Sequence, residues 1–242
     1  MRNPDLLSIL KETWLHTKAG LQPILGASLL VFAITMGVLT LGLSLLGIEL
    51  PMDLADEEAV ANLMNETLPL QMLMLTLWAP FGAGLAYLGW RRATGQDASV
   101  MQVFNTWAMA VPLVLIALVT EVLTSLGTYM MVLPGLYLMA VLSQANLYYL
   151  FHRGSPLRAM LNSAKVVHRN LLLVFPFYVV MAVLMVASFM TMGVALVVTV
   201  PYYFYGKGVL FRELFPELTP ATEEPAHAGE STPVSKPDSF EA

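Results

Sequence analysis

Three polar residues whose side chains could bind or transfer protons or ions lie in otherwise apolar stretches of this sequence: Glu121, Gln144 and Asn146. A carboxylic acid at the centre of a membrane span costs about 2.5 to 3.5 kcal/mol, and such residues often mark ion or proton paths. Alternatively, Glu121 is neutral or hydrogen-bonded and holds two helices together near the outer interface. Its possible partners are the hydroxyl and amide side chains Thr120, Thr124, Ser125, Thr128, Ser143, Gln144 and Asn146. Interhelical hydrogen bonds from Gln144 and Asn146 contribute only about 0.6 kcal/mol each, which favours a packing role for these two amides.

A second candidate site is a basic face formed by Arg158, Lys165 and Arg169. With Asn162 between them, these residues recur at steps of four, three and four, which places them on one side of a helix. Basic residues near a membrane surface attract anionic lipid headgroups by about 1 kcal/mol each. The simpler interpretation is that these charges only set the orientation of the chain in the membrane, and both roles are compatible.

Motifs for catalysis, metal binding and cofactor binding are absent from the sequence. The chain has no cysteine, which excludes disulfides, thiolate metal sites and a cysteine nucleophile. Its four histidines do not pair at metal-ligand spacing, and it has no Gly-rich phosphate loop, nucleophile elbow or HExxH motif. We therefore predict no catalytic residues, no metal and no cofactor. Basic and aromatic residues do interleave, but near membrane spans, so nucleic acid is not indicated.

The elements that carry these residues are predicted to be membrane helices. The chain is 57% hydrophobic and only 12% charged, with a mean hydropathy of +0.68, whereas soluble domains carry about 25% charged residues. A chain this poor in charge requires the bilayer as solvent. Backbone groups cannot stay unpaired in lipid, so each span should be helical and the fold class all-α.

Six stretches are long enough to cross a bilayer, which takes about 20 apolar residues each. The predicted spans cover approximately 21–48, 68–90, 108–130, 134–151, 171–190 and 193–211. In this arrangement every Lys and Arg falls on one side of the membrane, and the opposite side has an acidic first loop. Because basic segments stay cytoplasmic during insertion, the multi-pass protein should have both its N-terminus and its C-terminus in the cytoplasm.

Three short amphipathic helices are predicted to lie at the cytoplasmic interface, over about 4–19, 98–107 and 156–168. The first begins at Asn3-Pro4-Asp5, the third at Ser155-Pro156, and Asp97 is the predicted cap of the second. Each precedes an odd-numbered span. We therefore expect a unit of interfacial helix, span, outer turn and span, used three times around an axis along the membrane normal. The alternative is that the connectors are amphipathic without any repeat. Residues 1–214 form this membrane domain, and 215–242, rich in Pro, Ala, Ser, Thr and Glu, should be a disordered cytoplasmic tail.

The second half of the chain resembles a bacterial membrane family. The relevant segments are Pro134-Gly135-Leu136-Tyr137, then Ser155-Pro156-Leu157-Arg158-Ala159 with Ser163, and the exit Phe211-Arg212-Glu213-Leu214. They are similar to the membrane domain found with glycerophosphodiester phosphodiesterases and to its uncharacterised stand-alone relatives. The phosphodiesterase catalytic domain is absent here, so the resemblance implies a membrane module and no activity.

The expected function is accordingly non-enzymatic: a module of the bacterial inner membrane that contacts lipids or a partner. Its partners would be membrane lipids, including anionic ones, and another membrane protein or a second copy of itself. The alternative function is a small transporter or channel that uses Glu121 within the membrane.

Overall fold

The computed structural model describes residues 5–48, 62–63 and 65–218, and in these ranges the chain is helical with no strand. The all-α class predicted from the sequence is confirmed. The acidic first loop and the predicted tail from residue 219 onward lie outside the described residues. The elements in chain order are α1 (Leu6–Ala19), α2 (Leu21–Leu46), α3 (Leu68–Ala93), a 3-10 helix (Val100–Met109), α4 (Ala110–Met130), α5 (Val132–Leu142), α6 (Ala145–His152), α7 (Pro156–Arg169), α8 (Leu171–Met190), α9 (Leu196–Leu214) and a final 3-10 turn (Pro216–Leu218).

Four helical segments of the described chain are long and apolar enough to cross a membrane. They are α2, α3, the 3-10 helix together with α4, and α8. The side chains of α2 are largely uncovered by protein, as expected for a helix whose solvent is lipid. These segments indicate a membrane-embedded protein. Of the six predicted spans, 134–151 and 193–211 are not among these four segments.

The stretch 134–151 differs from the expected continuous span because it forms two helices, α5 and α6, separated at Ser143 and Gln144. The Ser143 hydroxyl donates to the Ala140 carbonyl at 2.7 Å, and the Ser143 amide donates to the same oxygen at 3.3 Å. Serine that bonds its own backbone in this way competes with the α-helical ladder. A new helix then starts as Tyr148 donates its amide to the Gln144 carbonyl at 2.9 Å.

α3 and α9 cross at close range through two glycines. A Cβ on Gly89 would collide with the Phe204 carbonyl, and a Cβ on Gly208 would collide with the backbone of Gly89 and Trp90. Small residues let membrane helices approach backbone to backbone. The half of α3 from Ala79 to Ala93 consequently lies at the centre of the core. Its buried side chains include Phe81, Leu85, Leu88 and Trp90.

The three surface helices differ in detail from one another. α1 and α7 are α-helices, whereas the middle one is a 3-10 helix that begins after Ser99 instead of Asp97. Ser99 forms a capping box, in which its backbone amide donates to the Gln102 side chain at 3.1 Å. The three following helix pairs also differ, because α5 and α6 are interrupted and α2 and α3 are not. The threefold hairpin repeat therefore stays a prediction.

Candidate functional site

The surface of α7 has three sides with different surroundings. One side is buried in the protein and consists of Ala159, Met160, Ser163 and Val167. A second side is apolar but exposed, with Leu157 58% and Leu161 54% accessible. The third side carries the predicted basic residues, and Arg158, Lys165 and Arg169 are all exposed. The structure therefore brings these three charges together on one accessible face.

The basic face of α7 has no acidic partner among the described residues. The ion pairs found in the described chain are His16–Glu12, Arg212–Glu12 and Arg212–Glu213, and none of them involves α7. α7 is instead held in place by a hydrogen bond of 2.9 Å between the Tyr137 hydroxyl and His168 Nδ1. The basic side of α7 lies roughly opposite its buried side, so its charges are open to an external anion.

Glu121 lies on the exposed surface of α4. Around it is an open depression formed by residues of the same helix, Thr124, Ser125, Thr128 and Tyr129. The Thr124 hydroxyl oxygen is buried there without a described hydrogen-bond partner. In the described part of the chain no hydrogen bond joins Glu121 to Gln144 or Asn146. The structure thus keeps the acid separate from the two amides that the sequence offered as partners.

Gln144 is fully buried at the interruption between α5 and α6. Its Nε2 donates to the Tyr178 hydroxyl on α8 at 3.5 Å, whereas its Oε1 has no partner among the described atoms. The Asn146 Oδ1 is also buried and unpartnered within that set. One long hydrogen bond thus joins Gln144 to a neighbouring helix, and its packing role stays a prediction.

A polar cluster lies where α3 and α9 end, at the end of the bundle that we name the inner end, and it was not predicted from the sequence. The Arg212 guanidinium at the end of α9 binds both carboxylate oxygens of Glu12 on α1, at 2.6 and 2.8 Å. It also donates to the Ala93 carbonyl at the end of α3 at 2.7 Å and to Glu213 at 2.7 Å. We call Arg212, Glu12 and the Ala93 carbonyl the inner clasp. Three helices that are far apart in the sequence are joined by this one side chain.

His16 and, after it, Arg212 lower the pKa of the Glu12 carboxyl from 4.5 to about 2. The hydrogen bond from His16 and those from Arg212 favour the charged carboxylate, and partial burial opposes them. His16 Nε2 lies 3.3 Å from Glu12 Oε1, one helical turn along α1. Since Arg212 is always protonated, the Arg212–Glu12 pair persists at neutral pH whatever the charge on His16.

Two tyrosines of α9 bind the backbone of the α1 segment next to the inner clasp. The Tyr202 hydroxyl donates to the Leu10 carbonyl at 3.2 Å, and the Tyr205 hydroxyl donates to the Gly20 carbonyl. Gly20 separates α1 from α2, and Arg92 of α3 reaches the neighbouring Ala19 carbonyl at 3.4 Å. These contacts fix α1 across the inner ends of α3 and α9. The sequence signal that could have indicated this arrangement is the cluster Tyr202, Tyr203 and Tyr205, which shortly precedes the exit segment Phe211-Arg212-Glu213-Leu214.

The described residues contain no group of three or more acidic or histidine side chains that could hold a metal ion. No family model matches this chain, and no curated protein or solved structure is significantly similar to it.

Proposed function

We propose that this protein is a non-enzymatic module of the bacterial inner membrane that binds anionic lipid headgroups through α7. The observation that carries the proposal is the pair of uncovered sides on that helix, one basic and one apolar. Protein atoms cover the remaining side only. An interfacial helix of this kind buries its apolar side at the boundary of the acyl chains and directs its basic side to the headgroups.

The angular positions on α7 agree with a helix that lies in the interface. At about 100° per residue, Arg158, Lys165 and Arg169 fall within about 40° of each other around the helix axis. Leu157 and Leu161 lie about 40 to 120° from them on the same reckoning. The two sides are adjacent and not opposed. A helix at the membrane surface can therefore satisfy both at once.

The proposed topology has three hairpins that each return to the cytoplasmic side, so that both chain ends are cytoplasmic. It is supported by the positive-inside pattern of the whole chain. It is also supported by the contacts of Arg212 with Glu12 and Ala93, because they bring the start of the chain, the end of α3 and the end of α9 to one end of the bundle. The resemblance to the membrane domain of glycerophosphodiester phosphodiesterases belongs to this proposal and adds no activity to it.

Native mass spectrometry of the detergent-purified protein with added phosphatidylglycerol or cardiolipin tests the proposal. We expect the wild type to retain these lipids over phosphatidylcholine. A variant with Arg158→Gln, Lys165→Gln and Arg169→Gln should bind them roughly tenfold to a hundredfold more weakly, from about 1 kcal/mol per charge.

The matched control compares Lys165→Gln on α7 with Lys11→Gln on α1, since both lysines are exposed on amphipathic helices. Only Lys165→Gln should weaken retention of the anionic lipid. Equal retention by the wild type and the triple variant would refute the assignment of headgroup binding to α7.

Transport through Glu121 is a second candidate function. The observation in its favour is the set of hydroxyl side chains that surrounds this acid on α4. All of these residues belong to a single helix, so a path would need a second wall from another copy of the chain. Proton or cation flux into proteoliposomes that is lost in Glu121→Gln would establish this function, and equal flux in both proteins would exclude it.

A further inference from the structure

The turn between α8 and α9 lies beside the middle of α2 and not beside its outer end. Gly193 of the turn and Phe32 of α2 line the same cavity of about 300 Å³. α2 continues from Phe32 for another fourteen residues to Leu46. At 1.5 Å per residue this continuation adds about 21 Å beyond the level of the turn.

The inner boundary of the membrane can be placed at the start of α2. There Lys18 lies over the Trp14 ring at 4.9 Å, and Arg92 approaches the Ala19 carbonyl. Lysine, arginine and tryptophan are typical of the headgroup region. From Gly20 to Phe32 the helix rises by about 18 Å, which is well short of the hydrocarbon thickness of about 30 Å. α8 is 20 residues long, but its Phe177 lies beside Gly206 and Thr13 at the same end of the bundle as Gly20. The part of α8 beyond that level, from Phe177 to Met190, therefore rises by only about 20 Å.

The parts of α2 and α3 beyond the level of this turn are suited to hydrocarbon. Between the level of the turn and the outer limit of about 30 Å, Met36 on α2 is 38% exposed and Leu73 on α3 is 49% exposed. The two helices still pack together there, because a Cβ on Gly42 would meet the Leu70 side chain. Exposed apolar surface of this extent requires lipid around it. The bilayer therefore extends well past the α8–α9 turn.

The backbone amides of the turn are all paired within the chain, which lowers the cost of placing the turn in hydrocarbon. Each backbone amide from Thr191 to Leu196 donates within the segment: to Ser188, Phe189, Thr191 and Gly193 carbonyls, and in the case of Ala195 to the Thr191 hydroxyl at 3.1 Å. The Thr191 hydroxyl donates in turn to the Ser188 carbonyl at 2.8 Å. None of these amides depends on water.

The outer surface of the turn is apolar and uncharged. Phe189, Met190, Met192 and Val194 are 68%, 82%, 97% and 74% exposed. We infer that α8 and α9 form a re-entrant hairpin whose turn ends inside the hydrocarbon layer and contacts lipid acyl chains. The same positive-inside pattern results whether a hairpin crosses the membrane or returns within it, because its two ends lie on the cytoplasmic side in either case.

Single-cysteine labelling tests this inference directly, since the natural chain has no cysteine. Met192→Cys and Val194→Cys would each carry a nitroxide in lipid vesicles, with Leu41→Cys as a reference in the outer part of α2 and Ile48→Cys as a reference just beyond its end. Power saturation with oxygen and with a water-soluble nickel complex then reports the depth of each label. We expect the labels at 192 and 194 to be open to oxygen, closed to nickel and deeper than the label at 41.

Nickel access at 192 and 194 as high as at 48 would show that the hairpin crosses the membrane, and it would overturn the inference. Exclusion of both reagents would also overturn it, because the turn would then be covered by protein and not by acyl chains. The two labelling sites guard against failure of one variant to fold. The result does not depend on headgroup binding by α7, so the two proposals can fail separately.

Discussion

Arg212 and Glu12 form a two-pronged ion pair, with Nη1–Oε1 and Nη2–Oε2 distances of 2.6 and 2.8 Å. The two residues are 200 positions apart in the chain. Two parallel charge-assisted hydrogen bonds hold a guanidinium and a carboxylate in one mutual orientation. The pair therefore fixes the direction in which α1 lies across the end of α9. Among the polar contacts of the domain, we expect the loss of this pair to lower the free energy of unfolding most.

Removing the guanidinium should destabilise the domain. We expect Arg212→Gln to lower the free energy of unfolding by about 1 to 3 kcal/mol, less than for a fully buried pair because both side chains are partly exposed. Arg212→Lys should lie between the wild type and Arg212→Gln, since lysine keeps the charge but not the two-pronged geometry. Thermal unfolding in detergent, followed by circular dichroism, measures the change.

The control for this prediction is Arg169→Gln, which removes an exposed arginine without a described ion-pair partner. Its effect should stay within about 0.5 kcal/mol. A double-mutant cycle with Glu12→Gln and Arg212→Gln should give a coupling of at least about 0.5 kcal/mol. Additive effects in that cycle would show that the pair contributes nothing of its own.

Acidification should weaken the inner clasp between pH 4.5 and about 2. The pKa of Glu12 is 4.5 in the unfolded reference and about 2 in the folded protein. A carboxyl whose pKa is lowered on folding stabilises the folded state above its unfolded pKa and loses that contribution as the pH falls through the folded value. With 34% of the side chain exposed, solvent screening limits the contribution to about 1 kcal/mol.

The pH prediction is checked by comparing the wild type with Glu12→Gln over that range. The wild type should be more stable at pH 7, and the difference in melting temperature should shrink towards zero near pH 2. A difference that stays constant from pH 7 to pH 2 is inconsistent with an ionised Glu12 in the clasp.

Alanine at either glycine of the α3–α9 crossing should be poorly tolerated. In Gly89→Ala and Gly208→Ala the new methyl group meets backbone atoms of the facing helix, which cannot move aside as a side chain can. We expect a loss of about 2 kcal/mol or more, as for overpacked cores. Gly37→Ala is the matched control, because nothing lies within 4 Å of a Cβ at that position. Equal melting temperatures for Gly89→Ala and Gly37→Ala would contradict the close crossing.

Lipid binding by α7 should depend on ionic strength. Between 0.1 and 1 M salt the Debye length falls from about 10 to about 3 Å, so the attraction between exposed charges and headgroups is screened. Retention of phosphatidylglycerol by the wild type should fall over this range, and Lys165→Gln should show a shallower dependence. Retention that is insensitive to salt would indicate that hydrophobic contacts alone hold the lipid.

Much of the helical layout could be predicted from local patterns. Proline after Ser155 and the polar spacing at Arg158, Lys165 and Arg169 predict the helix that the structure has at Pro156–Arg169. The predicted spans 171–190 and 193–211 meet at the turn of the structure, where φ is 53° at Met192 and 83° at Gly193. Signals of this kind depend on residues that are close together in the chain, and so they can be recognised in the sequence.

The contacts between distant segments could not be predicted in the same way. Glu12 belongs to a polar face with several charges, and nothing in its neighbourhood distinguishes it as the partner of Arg212. The interruption at Ser143 and Gln144 lies in a run of apolar residues that is equally compatible with one helix. The depth of the α8–α9 turn is also hidden, because charge patterns report which side a loop is on and not how far a hairpin reaches.

The crossing of Gly89 and Gly208 also constrains how the protein is made. A ribosome that adds roughly 5 to 20 residues per second needs roughly 6 to 24 s to proceed from the first glycine to the second. During that interval the small-residue side of α3 lacks the helix that later covers it. The close contact between these two helices can thus form only after α9 has been synthesised, many seconds after α3.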